Sequence, residues 1–186
     1  MFIQTEATPN PATLKFLPGG QVLENGSREI RNAEEARVSP LASALFSIDG
    51  VSGVFFGPDF ISVTKSMGEW QHLKPAILGA IMEHFISGGQ LIAADALGAE
   101  GASDEFFEPE HAEIVATIKE LIEAQVRPAV ASDGGDIVFR GFKDGIVYLQ
   151  MKGACSGCPS STATLKRGIQ NLLCHYVPEV KSVEQA

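Results

Sequence analysis

The chain has 186 residues, 45% of them hydrophobic and 20% charged, which suits two folded domains of roughly 80 residues each. Lys and Arg number 14 against 23 Asp and Glu, and the net charge of −9 argues against a sequence-independent hold on nucleic acid. The start has no secretion signal, and no apolar run reaches the roughly 18 residues of a membrane span, so we expect a soluble protein with no membrane partner.

The first half of the chain alternates short β-like segments with helices. Ser39-Pro40 is a typical helix start, and apolar residues at spacings of three and four predict an amphipathic helix from Trp70 to Phe85, ending at Gly88-Gly89. Four segments are predicted as strands, the last two forming a hairpin: Phe2–Thr5, Leu14–Leu17, Val51–Phe56 and Phe60–Thr64.

A change of composition after Gly88 indicates a linker. Gly, Ala and acidic residues replace the periodic apolar pattern up to Glu108. From Glu100 to Glu123, eight acids and one base supply −7 of the net charge. We therefore predict a first domain over residues 1–88, an acidic linker over 89–108 and a second domain over 109–186.

The second half opens with a helix from Pro109, whose regular part is expected to end at Pro128. Asp133 to Asp136 is interpreted as a turn, and another helix is expected to begin at Pro159. Three segments are predicted as strands, the first two as a hairpin: Ile137–Arg140, Ile146–Met151 and Val180–Val183. The predicted fold class is α/β of the α+β type, with two small domains that each pack a hairpin-containing sheet against helices.

The segment from Cys155 to Cys158 (CSGC) carries the candidate chemistry. It places two thiols in a loop between a strand and a helix N-terminus, where the helix dipole favours the thiolate that binds soft metals. Gly153 and Gly157 let the backbone fold closely around a ligand. With three cysteines in all, an odd number, we expect free thiols in a reducing compartment. Basic residues nearby add positive charge: Lys152, Lys166 and Arg167.

The number of ligands decides the mechanism, because a 4Fe–4S cluster or tetrahedral zinc ordinarily takes four protein ligands and this loop offers Cys155 and Cys158. Cys174 lies 16 residues beyond Cys158, roughly 24 Å along a helix, and is out of reach. A two-fold axis through the site would supply four thiolates from two subunits. We therefore hypothesise a homodimer bridged by a metal cluster that is released when the dimer opens.

Longer motifs resemble a known family. Four segments of the second half are similar to the NifU-type C-terminal domain: Asp133 to Ile137 (DGGDI), Gly153 to Ser161 (GACSGCPSS), Thr164 to Ile169 (TLKRGI) and Val177 to Val180 (VPEV). Two segments of the first half resemble the N-terminal domain of mitochondrial and bacterial Nfu proteins: Thr5 to Gly19 (TEATPNPATLKFLPG) and Phe55 to Lys65 (FFGPDFISVTK).

This resemblance implies a scaffold or carrier that binds a labile 4Fe–4S cluster, in some members 2Fe–2S, through Cys155 and Cys158. It implies an upstream cluster-assembly donor, and apo iron–sulfur acceptors such as radical lipoyl synthase and aconitase-type dehydratases. The first domain has no cysteine, so we expect it to dock donors or acceptors. No phosphate loop or serine-nucleophile motif is present, and we expect no enzymatic activity. The expected compartment is the bacterial cytoplasm, or the mitochondrial matrix for a processed chain.

Two other functions fit a CxxC segment between a strand and a helix. A thioredoxin-like thiol–disulfide oxidoreductase places its cysteines in the same way, but it calls for a βαβ unit, whereas the stretch before this strand reads as helix and hairpin. A structural zinc-bridged dimer is equally compatible with four thiolates, and metal analysis distinguishes it. Asp133 and Asp136 are interpreted as turn formers without a catalytic role. No metal-binding spacing links the four histidines: His72, His84, His111 and His175.

Overall fold

The computed structural model describes residues 2–24, 26–92, 105–156 and 159–186. The chain divides into two compact units, Met1–Ala102 and Ser103–Ala186, and each combines a sheet with helices. The predicted fold class is therefore confirmed. The predicted domain bounds at residues 88 and 108 stay predictions, because residues 93–104 of the linker lie outside the described residues. Among the described residues, no helix combines the length and apolar character needed to cross a membrane.

The first unit is an antiparallel sheet packed against helices α1 (Pro40–Phe46) and α2 (Trp70–Ser87), with a 3-10 turn at Glu35–Val38. The order in the sheet is β1-β2-β5-β4-β3, and β4 and β5 form the predicted hairpin. The sequence does not predict β3, because three residues are too few for an alternating pattern. Within the described residues the strands are β1 (Gln4–Ala7), β2 (Thr13–Leu17), β3 (Arg28–Ile30), β4 (Val51–Phe56) and β5 (Ile61–Lys65).

The helices of the first unit begin and end on residues suited to those places. Ser39 is fully buried, and its hydroxyl oxygen accepts a 3.1 Å hydrogen bond from the Ala42 N–H, which caps α1. α2 ends at Gly88, whose φ of 65° lies in the left-handed region that favours glycine. At the other end of α2, the Trp70 indole N–H donates to the Pro11 carbonyl over 3.1 Å. The unit's single tryptophan is thereby tied to the loop between β1 and β2.

The second unit has a mixed sheet in the order β6-β7-β8-β9. β7 and β8 form an antiparallel hairpin, whereas β6 pairs with β7, and β9 with β8, in parallel. The hairpin turns at Asp144 and Gly145, which both have positive φ, as a tight two-residue turn requires. The strands described are β6 (Phe106–Phe107), β7 (Gly135–Lys143), β8 (Ile146–Gly153) and β9 (Ser182–Gln185).

One long helical segment precedes this hairpin and another follows it. The first comprises a 3-10 turn (Pro109–His111), α3 (Ala112–Leu121), a π-helical turn (Ile122–Val126) and α4 (Arg127–Ser132). The second is α5 (Pro159–Tyr176), which connects β8 to β9. Apolar residues of both segments and of the sheet form one core, which includes Val115, Ile118, Val130, Ile137, Leu149, Ile169 and Leu173.

Pro128 does not end the helical segment, as the sequence analysis expected. The π-helical turn closes with a hydrogen bond from the Arg127 N–H to the Ile122 carbonyl, five residues back. Pro128 then falls in the first turn of α4, the part of a helix in which proline is tolerated. The helix therefore continues to Ser132.

Two further expectations are corrected by the sheet. β6 lies within the predicted linker, and its two residues carry no periodic signal. β7 begins at Gly135, so Asp136 is a buried strand residue and not part of the turn, which is confined to Asp133 and Gly134.

Candidate functional site

The structure places Cys155 between a strand and a helix, as predicted. β8 ends at Gly153, Ala154–Ser156 form a 3-10 turn, and α5 begins at Pro159. Cys158, the second predicted ligand, lies with Gly157 outside the described residues. The geometry of the site therefore rests on Cys155 and its surroundings.

Hydrogen bonds hold the turn around Cys155. Gly153 has a φ of 68°, a conformation that glycine adopts without strain, and it directs the chain out of β8. The Ser156 hydroxyl donates to the Gly153 carbonyl over 2.8 Å. The Thr162 hydroxyl, from the first turns of α5, donates to the Cys155 carbonyl over 2.7 Å. The turn is thus tied both to the strand before it and to the helix after it.

The DGGDI segment lies directly against this turn. In the β7–β8 register Gly135 is opposite Gly153, and the Ala154 N–H donates to the Gly134 carbonyl over 3.3 Å. A Cβ on Gly135 would lie 2.6 Å from the Lys152 carbonyl oxygen and 2.9 Å from the Cys155 sulfur, both closer than real Cβ atoms come. Only glycine therefore fits at this position.

Asp136 is buried and forms an ion pair with Arg127, whose side chain is partly exposed. Arg127 donates to it through Nε and Nη2, both over 2.9 Å, and its Nη1 donates to Glu123 over 2.6 Å. The Asp136 carboxylate also accepts the N–H of Ile137 over 2.8 Å. The hydrogen bond to Asp136 raises the pKa of Arg127, which keeps its full charge. Sequence analysis missed this pair because it assigned Asp136 to a turn and ended the helix at Pro128.

The Cys155 thiol is protonated at neutral pH, contrary to the thiolate that the helix dipole was expected to favour. Cys155 is only 4% exposed and belongs to the hydrophobic core of the second unit. The pKa of Cys155 is raised to about 11, chiefly by burial and to a lesser extent by the charges of Asp133 and Asp136. Of the basic residues expected to offset this, Lys166 pairs with Glu184 over 2.7 Å.

Cys174 lies near the far end of α5, as predicted. Fifteen residues separate it from Pro159, a rise of roughly 22 Å along the helix. Its thiol is half-buried and donates to the Val180 carbonyl over 3.1 Å. Cys174 therefore serves the packing between α5 and the segment that follows it.

One histidine has carboxylate neighbours that the sequence spacing did not indicate. His111 Nδ1 lies 3.7 Å from Glu108, and its Nε2 lies 3.9 Å from Glu110. One ligand atom from each of Glu108, Glu110 and His111 lies within 4.8 Å of the other two, close enough to surround a metal ion, although exposed acidic groups are common without one. His84 is buried on α2, and burial lowers its pKa.

The topology changes the argument against an oxidoreductase. β8, α5 and β9 form a βαβ unit, since β8 and β9 are parallel and α5 connects them. The stretch up to β8 is helix and hairpin, as the sequence predicts, whereas the βαβ unit lies after the start of the CxxC segment. Thiol–disulfide exchange requires an attacking thiolate, and the raised pKa of Cys155 makes this residue a poor attacking group.

Comparison with known proteins assigns both halves of the chain. Residues 3–88 match the family described as "Scaffold protein Nfu/NifU N terminal", and residues 118–184 match the family described as "NifU-like domain". The NMR structure of a NifU-like protein from Saccharomyces cerevisiae is 30% identical, covers 50% of this chain and 85% of its own, and has a TM-score of 0.45.

Two curated relatives align along the whole chain. The chain is 54% identical to "NifU-like protein 4, mitochondrial" of Arabidopsis thaliana and spans 66% of it. It is 51% identical to "NFU1 iron-sulfur cluster scaffold homolog, mitochondrial" of Homo sapiens and spans 72% of it. With both of its halves matched and this identity over its full length, the chain belongs to the Nfu/NifU family of iron–sulfur cluster scaffold proteins.

Proposed function

We propose that this protein is a carrier in which Cys155 and Cys158 of two subunits bind one labile 4Fe–4S cluster and pass it to apo-proteins. The observation that carries the proposal is the place of Cys155 in the turn between β8 and α5, with Cys174 at the other end of the same helix. One subunit then offers two thiols where a cluster takes four. A two-fold axis through the turns would make up the number.

The cluster is cargo, and its binding must overcome the burial of Cys155. The thiol has to lose its proton before its sulfur can bind iron. Coordination to a metal ion deprotonates a thiol even where the pKa of the free group is high, so iron supplies the driving force.

Release reverses these steps. An acceptor thiolate forms a bond to iron as the bond between iron and Cys155 breaks, so the iron keeps its number of ligands. The freed Cys155 thiolate then takes a proton from water, because its pKa inside the core is about 11. This protonation opposes recapture of the cluster and favours its transfer.

For partners, we propose apo iron–sulfur proteins as acceptors and an upstream assembly protein as donor, with the first unit as the docking domain. The first unit has no cysteine, which leaves it free of any role in ligation. The names of both curated relatives specify mitochondria, which supports the mitochondrial matrix, with the bacterial cytoplasm as its counterpart, as the compartment. We propose a role in transfer without catalysis of a covalent reaction.

Anaerobic reconstitution of variants in which one cysteine is replaced by alanine tests the proposal. Wild-type protein should take up iron and sulfide and gain visible absorbance, and Cys174→Ala should do the same. Cys155→Ala and Cys158→Ala should each lose the bound cluster, although each variant retains the other two cysteines of the chain. A colourless protein that retains zinc in preference to iron and sulfide would instead support the structural zinc dimer.

A further inference from the structure

We propose that the Arg127–Asp136 ion pair is a positioning device for the cluster-binding turn, acting on Cys155 through Gly135. The inference rests on the proposed function, since it takes Cys155 as a cluster ligand. Neither Arg127 nor Asp136 touches the cargo. Both are therefore positioning residues, which determine where the Cys155 sulfur lies.

The ion pair joins the two ends of the segment 127–136, which includes Gly135, the residue in contact with Cys155. Arg127 is the first residue of α4 and Asp136 is the second of β7, so the pair joins the two ends of the stretch that contains Asp133, Gly134 and Gly135. Two parallel hydrogen bonds of 2.9 Å fix the orientation of the carboxylate as well as its distance. The N–H of Ile137 adds a third bond to the same carboxylate.

This fixed segment contacts the turn at two points. The Gly134 carbonyl accepts the N–H of Ala154, and the backbone of Gly135 lies against the Cys155 sulfur. A shift of the β7 start relative to α4 would therefore move both contacts together. Replacing a residue that orients a metal ligand, but does not itself bind the metal, commonly changes metal affinity by roughly 10- to 100-fold.

The placement of Arg127 depends on the π-helical turn before it. The extra residue in the turn Ile122–Val126 rotates the helix that follows, and π-helical turns of this kind occur frequently at functional sites. Glu123, which lies within this turn, contacts the remaining nitrogen of Arg127 from the exposed side. Glu123 therefore provides a matched control, because it contacts the same guanidinium without contacting the segment that supports Cys155.

The test compares Arg127→Gln, Asp136→Asn, their double variant and Glu123→Gln. Each protein is reconstituted anaerobically, and loss of the cluster to an iron chelator is timed by visible absorbance. The half-life of the bound cluster in Arg127→Gln and in Asp136→Asn should be shorter than in wild type by roughly tenfold or more. The half-life in the double variant should be no shorter than in either single variant. Glu123→Gln should match wild type. Arg127→Lys, which keeps the charge but not the paired hydrogen bonds, should be intermediate.

A second measurement separates positioning from stability and needs no cluster. Hydrogen exchange of the Ala154 amide in apo-protein should be several-fold faster in the two single variants, under conditions where far-ultraviolet circular dichroism shows each to be fully folded. Folded variants with wild-type exchange at Ala154 and wild-type cluster retention would overturn the inference. If wild-type protein takes up no cluster, the proposed function fails, and the exchange measurement still decides whether the ion pair holds the turn. Should Arg127→Gln not fold, Asp136→Asn, which keeps the shape of the side chain, decides the question.

Discussion

Gly135 and Cys155 are in such close contact that a Cβ on Gly135 would lie 2.9 Å from the Cys155 sulfur. The two residues belong to segments that are distant in sequence, and the β7–β8 hairpin brings them together. The DGGDI segment therefore packs directly against the first cysteine of the CxxC segment.

Gly135→Ala should destabilise the second unit by about 1–3 kcal/mol, because the added methyl group meets the Lys152 carbonyl as well as the cysteine sulfur. Urea unfolding followed by circular dichroism should reveal the loss. Fluorescence of Trp70, which lies in the first unit, should report little change. Gly168→Ala is the matched control: this exposed glycine of α5 has no atom within 4 Å of an added Cβ, so alanine should stabilise the helix by up to about 1 kcal/mol. Equal effects of the two substitutions would contradict the contact.

Asp133→Asn should increase the rate at which iodoacetamide alkylates Cys155 in apo-protein. The Asp133 charge is one of the causes that raise the pKa of Cys155, so its removal lowers that pKa and increases the thiolate fraction at a fixed pH. Burial is the larger cause and is retained, so the rate should still rise with pH up to nearly 11. Mass spectrometry with fragmentation separates the product from that of Cys158.

Asp144→Asn provides the control for this charge effect. It removes the same charge from the turn at the opposite end of the hairpin, roughly 25 Å away, and Asn tolerates the positive φ found there. Its alkylation rate should equal that of wild type. An Asp133→Asn protein that reacts no faster than the Asp144→Asn protein would argue against the electrostatic contribution of Asp133.

Ser39→Ala should destabilise the first unit by about 1–2 kcal/mol, since it removes the N-cap of α1 and leaves the buried Ala42 N–H without its side-chain partner. Trp70 fluorescence during urea unfolding is the direct measurement. Ser47→Ala, at the exposed end of the same helix, should change the free energy of unfolding by less than about 0.5 kcal/mol. A loss of similar size in both variants would point to a general effect of the helix and not to the cap.

The sequence predicts those parts of the structure that depend on local patterns. The β7–β8 hairpin, the helix starts at Pro40 and Pro159 and the place of Cys155 between strand and helix all depend on neighbouring residues, and the structure contains them. β6 could not be predicted in this way, because its two residues become a strand only by pairing with β7.

The contacts of the site depend on the register of distant segments. The approach of Gly135 to Cys155 is determined by β7–β8 pairing, and the Arg127–Asp136 pair depends on a π-helical turn that apolar spacing does not indicate. The raised pKa of Cys155 follows from the same cause, since the extent of its burial is set by tertiary packing. A local argument from the helix dipole therefore predicts the wrong ionisation state.

Native mass spectrometry of the anaerobically reconstituted protein determines whether two subunits share one cluster. We predict that one 4Fe–4S cluster accompanies each pair of subunits, and that a chelator removes the cluster and at the same time separates the pair into monomers. A full cluster on each single subunit, or a pair of subunits that persists unchanged after the iron is removed, would contradict it.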